Sequence, residues 1–333
     1  MPDDPRLTPY YGLRITAIDR AACTVTDSTG GVHAWHRLIL ATGSRPRVPS
    51  IPGVDLAGVY TFRDLADADR LKARTARSRA VTVLGGGILG LETARALRRA
   101  DTRVRVLDHN DHLMFNQLDS DAGRRLGAFV ASLGIEVLTG DAVQQIIGVS
   151  RVSGVLLRSG ALLDCDTVVI AAGIVPNVNL AREAGLGVGR GVRVDDGMRT
   201  NDPRIFAVGE CAEHRGIVYG LVAPGLEQAT IAAHNVAADL RALDATVGLA
   251  TKPSMDLAPV DGDARYAGSV SAARLKVVGC AVFSIGDVQE SEIPRPSATF
   301  RSDADGIYRK LLLQRGRLVG AIAVGPWHET NRL

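Results

Sequence analysis

Short apolar runs broken by turn-forming residues predict small strands along the first forty residues, over 13–18, 24–26 and 37–40, with a Ser28-Thr29-Gly30-Gly31 turn after the second. The stretch 45–53, Arg-Pro-Arg-Val-Pro-Ser-Ile-Pro-Gly, is incompatible with a helix, because its prolines remove donors and restrict the residues before them. It predicts an extended crossing between domains. A helix rich in Asp, Arg and Ala is expected over 64–79. Residues 81–84 then read as a buried strand, followed by glycines, a helix to about residue 99 and a second strand over 104–107. This order opens a parallel, doubly wound sheet. Strands over 167–171 and 205–208 follow, then helical periodicity over 226–242 and a polar, proline-containing linker near 245–258. The last part reads as an antiparallel hairpin: 308–314, an Arg315-Gly316 turn, and 318–324.

The glycines after the 81–84 strand fill the three places of a GxGxxG pattern with Gly85, Gly87 and Gly90, in the run Gly85-Gly86-Gly87-Ile88-Leu89-Gly90. The first glycine makes the tight turn, the second lets backbone approach a pyrophosphate, and the third allows helix and strand to pack closely. The helix N-terminus then favours negative charge. Asp108 ends the next strand, where a carboxylate can accept from a ribose diol and would repel the 2′-phosphate of NADPH, so NADH is expected. His109 follows, where an NADPH enzyme would more often carry arginine. Three further strands run into small residues and glycine: Ala41-Thr42-Gly43-Ser44-Arg45-Pro46, Ala171-Ala172-Gly173-Ile174-Val175-Pro176-Asn177 and Ile205-Phe206-Ala207-Val208-Gly209-Glu210-Cys211-Ala212. In the last, the backbone can approach a ligand and the carboxylate can reach a ribityl hydroxyl.

Composition narrows the function classes. With 46% hydrophobic and 23% charged residues the chain matches an average soluble globular protein, so disorder and fibrous repeats are excluded. A net charge of +3, with arginines scattered among acids, gives no nucleic-acid face. The start, Met1-Pro2-Asp3-Asp4-Pro5, lacks the basic and apolar segments of a signal peptide, and no apolar run reaches the about 20 residues needed to span a bilayer. Cys23, Cys165, Cys211 and Cys280 are far apart in sequence, which fits reduced thiols in a cytoplasmic protein and argues against a disulfide reductase. His33 with His36, and His109 with His112, lack the companions of a metal site, so no metal is expected. No Gly-x-Ser-x-Gly elbow suggests a hydrolase.

Taken together and in this order, the glycine-ended strands resemble those of the FAD-dependent pyridine nucleotide-disulfide oxidoreductase superfamily, in its branch without a redox disulfide. Within it the chain is similar to the NADH/FAD portion of assimilatory nitrite reductase large subunits, with rubredoxin reductases a step further away. Leu113-Met114, Gln117-Leu118-Asp119, the run from Gly209 through Gly216, Val218-Tyr219-Gly220-Leu221-Val222-Ala223-Pro224 and Arg274-Leu275-Lys276-Val277 carry that likeness. It implies an α/β fold with two Rossmann-like dinucleotide-binding domains, the FAD domain incomplete and the NAD domain inserted in it, plus a small α+β C-terminal domain. The implied limits are 1–62 and 179–244 for FAD, 63–178 for NAD(H), and 254–333 for the C-terminal domain, a type that can provide a homodimer interface.

By the same resemblance Thr42, Gly43 and Arg45 would line the FAD site, with Arg63 near its phosphates. Gly209 and Glu210 would hold the ribityl-pyrophosphate side, and Leu221, Val222 and Pro224 would pass beside the isoalloxazine ring. Gly173 would join the 85–90 loop and Asp108 at NAD(H). Glu92 would position the nicotinamide; its other reading is a carboxylate stabilised by the helix dipole. The implied activity is hydride transfer from NADH to FAD and electron delivery to an iron–sulfur, siroheme or rubredoxin-like partner. Two departures qualify this. The family's opening strand-GxGxxG-helix unit, roughly 30 residues or more, has no counterpart before residue 41, so a truncated start and an NADH-binding remnant without FAD form the rival expectation. At the other end, Thr330-Asn331-Arg332-Leu333 reads as the start of a further helix, and no siroheme or iron–sulfur portion is present.

Overall fold

The structure, a computed structural model, describes residues 6–247, 263–275, 279–288, 296–302 and 306–326. The chain divides into two compact units, one made of 1–45 and 175–269, the other of 46–174 and 270–333.

The second unit is built on a five-stranded sheet. Its order is Val59–Thr61, Thr167–Ile170, Ala80–Leu84, Arg103–Asp108, Ile135–Thr139, and every neighbouring pair is parallel. All five residues of Ala80–Leu84 are buried because both faces are covered, which is why the strand shows little apolar–polar alternation. Val81, Val83, Val104, Val106 and Val169 face a core shared with Leu91 and Ala94 of the helix Ile88–Leu97 and Leu126 and Val130 of the helix Ser120–Ser132. Leu84, Leu107, Val168 and Ile170 point the other way, onto a three-stranded antiparallel sheet of Val143–Gly148, Val152–Leu157 and Leu162–Asp164. Neither the Ser120–Ser132 helix nor this small sheet was expected from the sequence pattern.

The helix expected over 64–79 is shorter, Leu65–Thr75. It is capped by Asp64, which accepts from the Asp67 amide at 2.8 Å. It stops before Ser78, whose hydroxyl donates to Asp166 at 2.6 Å and so ties the chain to the strand edge. The helix after the glycine loop ends at Leu97 because Arg98 is extended and its Nε donates to the Gly134 carbonyl at 2.9 Å.

The C-terminal segment forms a five-stranded antiparallel sheet in the order Ala272–Leu275, Val282–Gly286, Arg317–Val324, Ile307–Gln314, Ser297–Ser302. The expected hairpin is its centre: Gln314 pairs with Arg317, and Arg315 and Gly316 both take positive φ, as a two-residue turn of this hand requires. Leu275, Val282, Tyr308 and Ile322 join the core that contains Leu126 and Val130. A polar clip accompanies them: Asp119, cap of the Ser120–Ser132 helix, accepts from the Ala122 amide at 3.0 Å, the Tyr308 hydroxyl at 2.6 Å and the Lys310 ammonium at 2.7 Å. Burial pushes the Asp119 carboxyl up, but the Lys310 and Tyr308 hydrogen bonds outweigh it and hold the group below its ordinary value.

The first unit contains an antiparallel sheet of Ile15–Asp19, Thr24–Asp27 and Val32–Ala34 and two parallel pairs. These are Leu38–Leu40 with Ile205–Ala207, and Val192–Val194 with Ala212–His214. The helix expected over 226–242 runs from Val222 to Val247, so the first residues of the expected 245–258 linker are helical; 248–262 and the expected helix start at 330–333 lie outside the described residues. Asp202, nearly buried, accepts from Arg20 at 2.9 Å and Arg204 at 3.2 Å. Burial raises its carboxyl and the two guanidiniums more than offset this, leaving it at about 2. A folded value below the unfolded one of about 3.9 stabilises the fold above pH ~4, and this contribution disappears as pH falls towards 2. Acid-unfolding curves of Asp202→Asn are therefore expected to have a shallower slope between about pH 4 and 2 than those of the wild type.

Candidate functional sites in the two units

The clearest site in the second unit is the carboxyl edge of its parallel sheet, where such folds place ligands. Ala80–Leu84 ends at Gly85, whose amide donates to the Leu107 carbonyl at 2.8 Å and whose φ of +119° suits glycine. A Cβ on Gly85 would strike the Ala171 carbonyl, and one on Gly90 would strike the Gly85 carbonyl. Gly87 is different: an added Cβ meets nothing within 4 Å. Gly87 caps the helix Ile88–Leu97, no side chain caps it, and the first turn carries no acid. The loop thus offers open backbone and the positive end of a ten-residue helix, which suits a pyrophosphate. Gly86 and Gly90 are buried, while Leu89 is partly exposed.

Asp108 lies at the next strand end, but its carboxylate is turned into the protein. Oδ2 accepts from the Gly86 amide at 2.5 Å, and Oδ1 accepts from the Asn110 amide at 2.9 Å and the Asn110 side chain at 2.8 Å. Asp108 is therefore a brace of the glycine loop as well as a group beside it, and Asn110 was missed by the sequence reading. Leu113 and Met114 back the loop, the Met114 amide donating to the Gly86 carbonyl at 2.9 Å. Gly173 is exposed with φ +96°, its carbonyl accepting from the Arg47 amide at 2.9 Å. Glu92 is half-buried in the second turn of the loop helix, and Arg63 is exposed just ahead of Leu65–Thr75.

In the first unit another cluster assembles where Leu38–Leu40 and Ile205–Ala207 end. The Thr42 hydroxyl donates to the Asn177 carbonyl at 2.8 Å, and the Asn177 side chain donates back to the Thr42 carbonyl at 2.8 Å. The Ser44 hydroxyl donates to Glu210 at 2.8 Å, which orients the carboxylate. Gly43 (φ +62°) and Gly209 (φ +75°) both face open space where a Cβ would sit. The Gly209 amide is held by the buried Gln228 side chain at 2.8 Å, and Gly225 packs against the Gly209 Cα. The start of the Val222–Val247 helix thereby lies against this turn: Leu221 is half-buried, Val222 is exposed, and Pro224 is buried. Arg45 is exposed. Ser44, Asn177 and Gln228 had no assigned role in the sequence reading. Ser44 and Asn177 lie within the glycine-ended runs 41–46 and 171–177, their only signal, and Gln228 carries none.

Cys211 is fully buried, with its thiol against the Leu40 and Val208 carbonyls, as a packing residue would be. All four cysteines are free thiols, and burial raises the thiol values of Cys165 and Cys280. His33 bonds Asp27 at 2.8 Å and His112 bonds Asp111 at 2.6 Å. Among the described residues no group of three or more His, Cys, Asp or Glu could hold a metal ion, and no helix is long and apolar enough to cross a membrane.

The family model for pyridine nucleotide-disulphide oxidoreductases matches residues 6–236. The chain belongs to that family. Residues 272–333 match the C-terminal domain of rubredoxin NAD+ reductase. Among relatives, a nitrite reductase [NAD(P)H] of Bacillus subtilis is 40% identical over 97% of this chain and 37% of its own length. The assimilatory nitrate reductase electron transfer subunit of the same organism is 34% identical over 99% of this chain and 40% of its own length. The chain thus spans well under half the length of these relatives. Among solved structures, the ferredoxin reductase for the CYP199A2 system from Rhodopseudomonas palustris superposes with a TM-score of 0.79 at 25% identity, covering 94% of this chain and 72% of the other. The likeness places the chain on a Rossmann-type α/β fold with a C-terminal sheet, and the relatives named here are reductases.

Proposed function

We propose that this chain is the NADH-oxidising flavoprotein part of an electron-transfer reductase of the nitrite reductase or rubredoxin reductase type. The observation that carries the reading is the open, uncapped glycine loop at Gly87 in one unit together with the Thr42–Asn177 and Ser44–Glu210 cradle in the other. Held there, the two cofactors would supply two-electron hydride and one-electron redox chemistry. The protein's share is binding and orientation. In this reading Gly85, Gly86, Gly87, Ile88, Leu89 and Gly90 hold the NADH pyrophosphate with Asp108 and Gly173 nearby, and Glu92 positions the nicotinamide. Thr42, Gly43, Arg45, Arg63, Gly209, Glu210, Leu221, Val222 and Pro224 serve FAD.

The flavin portion comprises 1–62 and 179–244, the NAD(H) portion 63–178, and 254–333 can supply a homodimer contact. The acceptor is an iron–sulfur, siroheme or rubredoxin-like protein or domain, and the location is the cytoplasm.

The test is NADH-dependent reduction of ferricyanide by protein supplied with FAD. Turnover that saturates with NADH and is lost in Gly87→Ala supports the reading; protein that takes up no FAD and reduces nothing refutes it. Removing the hydrogen-bonded carboxylate with Glu210→Ala is expected to weaken FAD binding by about tenfold or more, measured by flavin fluorescence quenching, since a hydrogen bond to a charged group contributes about 1.5–3 kcal/mol.

A further inference from the structure

The segment 263–269 ties together the two sides of the candidate flavin site. One side is the turn at Gly209 and Glu210; the other is the run from Tyr219 to Pro224 that opens the helix Val222–Val247. The link is a chain of hydrogen bonds. Glu227, exposed on the second turn of that helix, accepts from the Ser269 hydroxyl. Having given its one proton, Ser269 accepts from the Tyr266 hydroxyl, and Tyr266 in turn accepts from the Gln228 side-chain amide. The Gln228 oxygen takes the Gly209 amide at 2.8 Å, which closes the chain at the flavin turn.

Tyr219 meets the same segment. Its hydroxyl accepts from the Ser269 amide at 3.2 Å, and its ring stands edge-on to that of Tyr266 with 6.0 Å between centroids. Gly268 makes room for this approach: its φ is +99°, and a Cβ there would stand only 3.0 Å from the Tyr219 hydroxyl. Tyr266 is itself braced. It is buried beside Phe206 and Val208 in the run leading to Gly209, and its ring packs on His214 at 4.9 Å. Its amide donates to the Asp196 carbonyl at 2.7 Å, and the Asp196 carboxylate is clasped by Arg215 at 2.7 Å and His214 at 2.9 Å. A satisfied buried network of this kind rigidifies the pieces it joins.

We propose that Tyr266 and Ser269, together with Tyr219, are positioning residues of the flavin site, fixing the run beside the ring relative to the turn on the ribityl side. This rests on the reading that the flavin lies along Gly209–Glu210 and Leu221–Pro224. The three hydroxyls are engaged with one another's segments and with Gln228 and Glu227, so they act through Gly209 and Leu221 and not on the cofactor. Hydride transfer needs reacting atoms about 3–3.5 Å apart, and a misplacement of about 1 Å can cost about a hundredfold in rate. The 85–90 loop belongs to the other unit, so loosening the tie lowers the rate and leaves NADH affinity unchanged.

The experiment compares wild type, Tyr266→Phe, Ser269→Ala and Glu227→Gln, each as the whole chain supplied with FAD. Anaerobic stopped-flow mixing with NADH gives the limiting rate of flavin bleaching and the half-saturating NADH. Visible circular dichroism reports the surroundings of the bound ring, and thermal melts report the fold. In Tyr266→Phe and Ser269→Ala the limiting rate should fall about tenfold, with half-saturating NADH within about twofold of wild type and an altered flavin dichroism band. Glu227→Gln keeps an acceptor for Ser269 and should match wild type. Ser269 is half-exposed, so its alanine variant remains a folded test if the buried Tyr266 tolerates no change. A lowered melting temperature with wild-type rate and dichroism overturns the proposal and leaves the flavin reading standing. A wild-type protein that retains no flavin overturns that reading, and the positioning role with it.

Discussion

Alanine at position 90 is expected to weaken NADH binding by more than about a hundredfold and to destabilise the fold by about 1–3 kcal/mol, the range of overpacking in a rigid site. The new methyl group would collide with the Gly85 carbonyl oxygen, a backbone atom that cannot rotate away. The Gly85 amide is in turn bonded to Leu107, so the loop, the helix Ile88–Leu97 and the strand Arg103–Asp108 would all have to shift. Gly87→Ala separates binding from folding. Its φ of −77° is ordinary for alanine and its Cβ meets nothing, so the thermal midpoint should stay near that of the wild type. The methyl group would still stand where a pyrophosphate approaches, and NADH binding should fall. Calorimetric titration with NADH and thermal melts of both variants check this. Normal NADH affinity in both would show that the loop is not the dinucleotide site.

The second large effect is expected at Asp119, far in sequence from the residues it holds. Asp119→Ala should destabilise the protein by about 3–5 kcal/mol in denaturant unfolding, the range for breaking a buried charge pair from one side. Three losses coincide there: the cap on Ser120–Ser132, the partner of the buried Tyr308 hydroxyl, and the partner of Lys310. Asp119→Asn keeps one acceptor oxygen, for the cap or for Tyr308 but not for both, and loses the charge, so its effect should be intermediate. The Tyr308 phenol stands above its ordinary value, because burial and the neighbouring Asp119 charge both oppose ionisation. It therefore remains a donor across the neutral range. A substitution cost below about 1 kcal/mol, typical of an exposed ion pair, would contradict this account of the clip.

What could be read from the sequence followed how directly residue type encodes backbone need. The strand-glycine-helix-strand run was legible because Gly85 and Gly90 stand where a Cβ does not fit, and few other residues could take those places. The hairpin around Arg315-Gly316 was legible for the same reason. The helix Ser120–Ser132 escaped because Gly123, Gly127 and two serines dilute its propensity, although Asp119 marked its start. The strands Val143–Gly148 and Leu162–Asp164 escaped because they are short and half exposed, with too few apolar positions to show a period of two.

At the sites, the identity of Asp108 could be read but its direction could not. Only the fold shows that Gly86 and Asn110 claim its oxygens. Ser44–Glu210 and Thr42–Asn177 are separated by 166 and 135 positions in the chain, distances over which single-residue patterns carry no pairing information.

The central claim, that this chain passes electrons from NADH to FAD, is tested most directly by one spectrum. Protein supplied with FAD and freed of unbound flavin is mixed with NADH without oxygen, and the visible flavin band is followed. The account predicts that the band bleaches with one equivalent of NADH, and that Gly87→Ala retains the band but bleaches far more slowly. A bound flavin that NADH leaves oxidised, or a protein that binds NADH and retains no flavin, would contradict it.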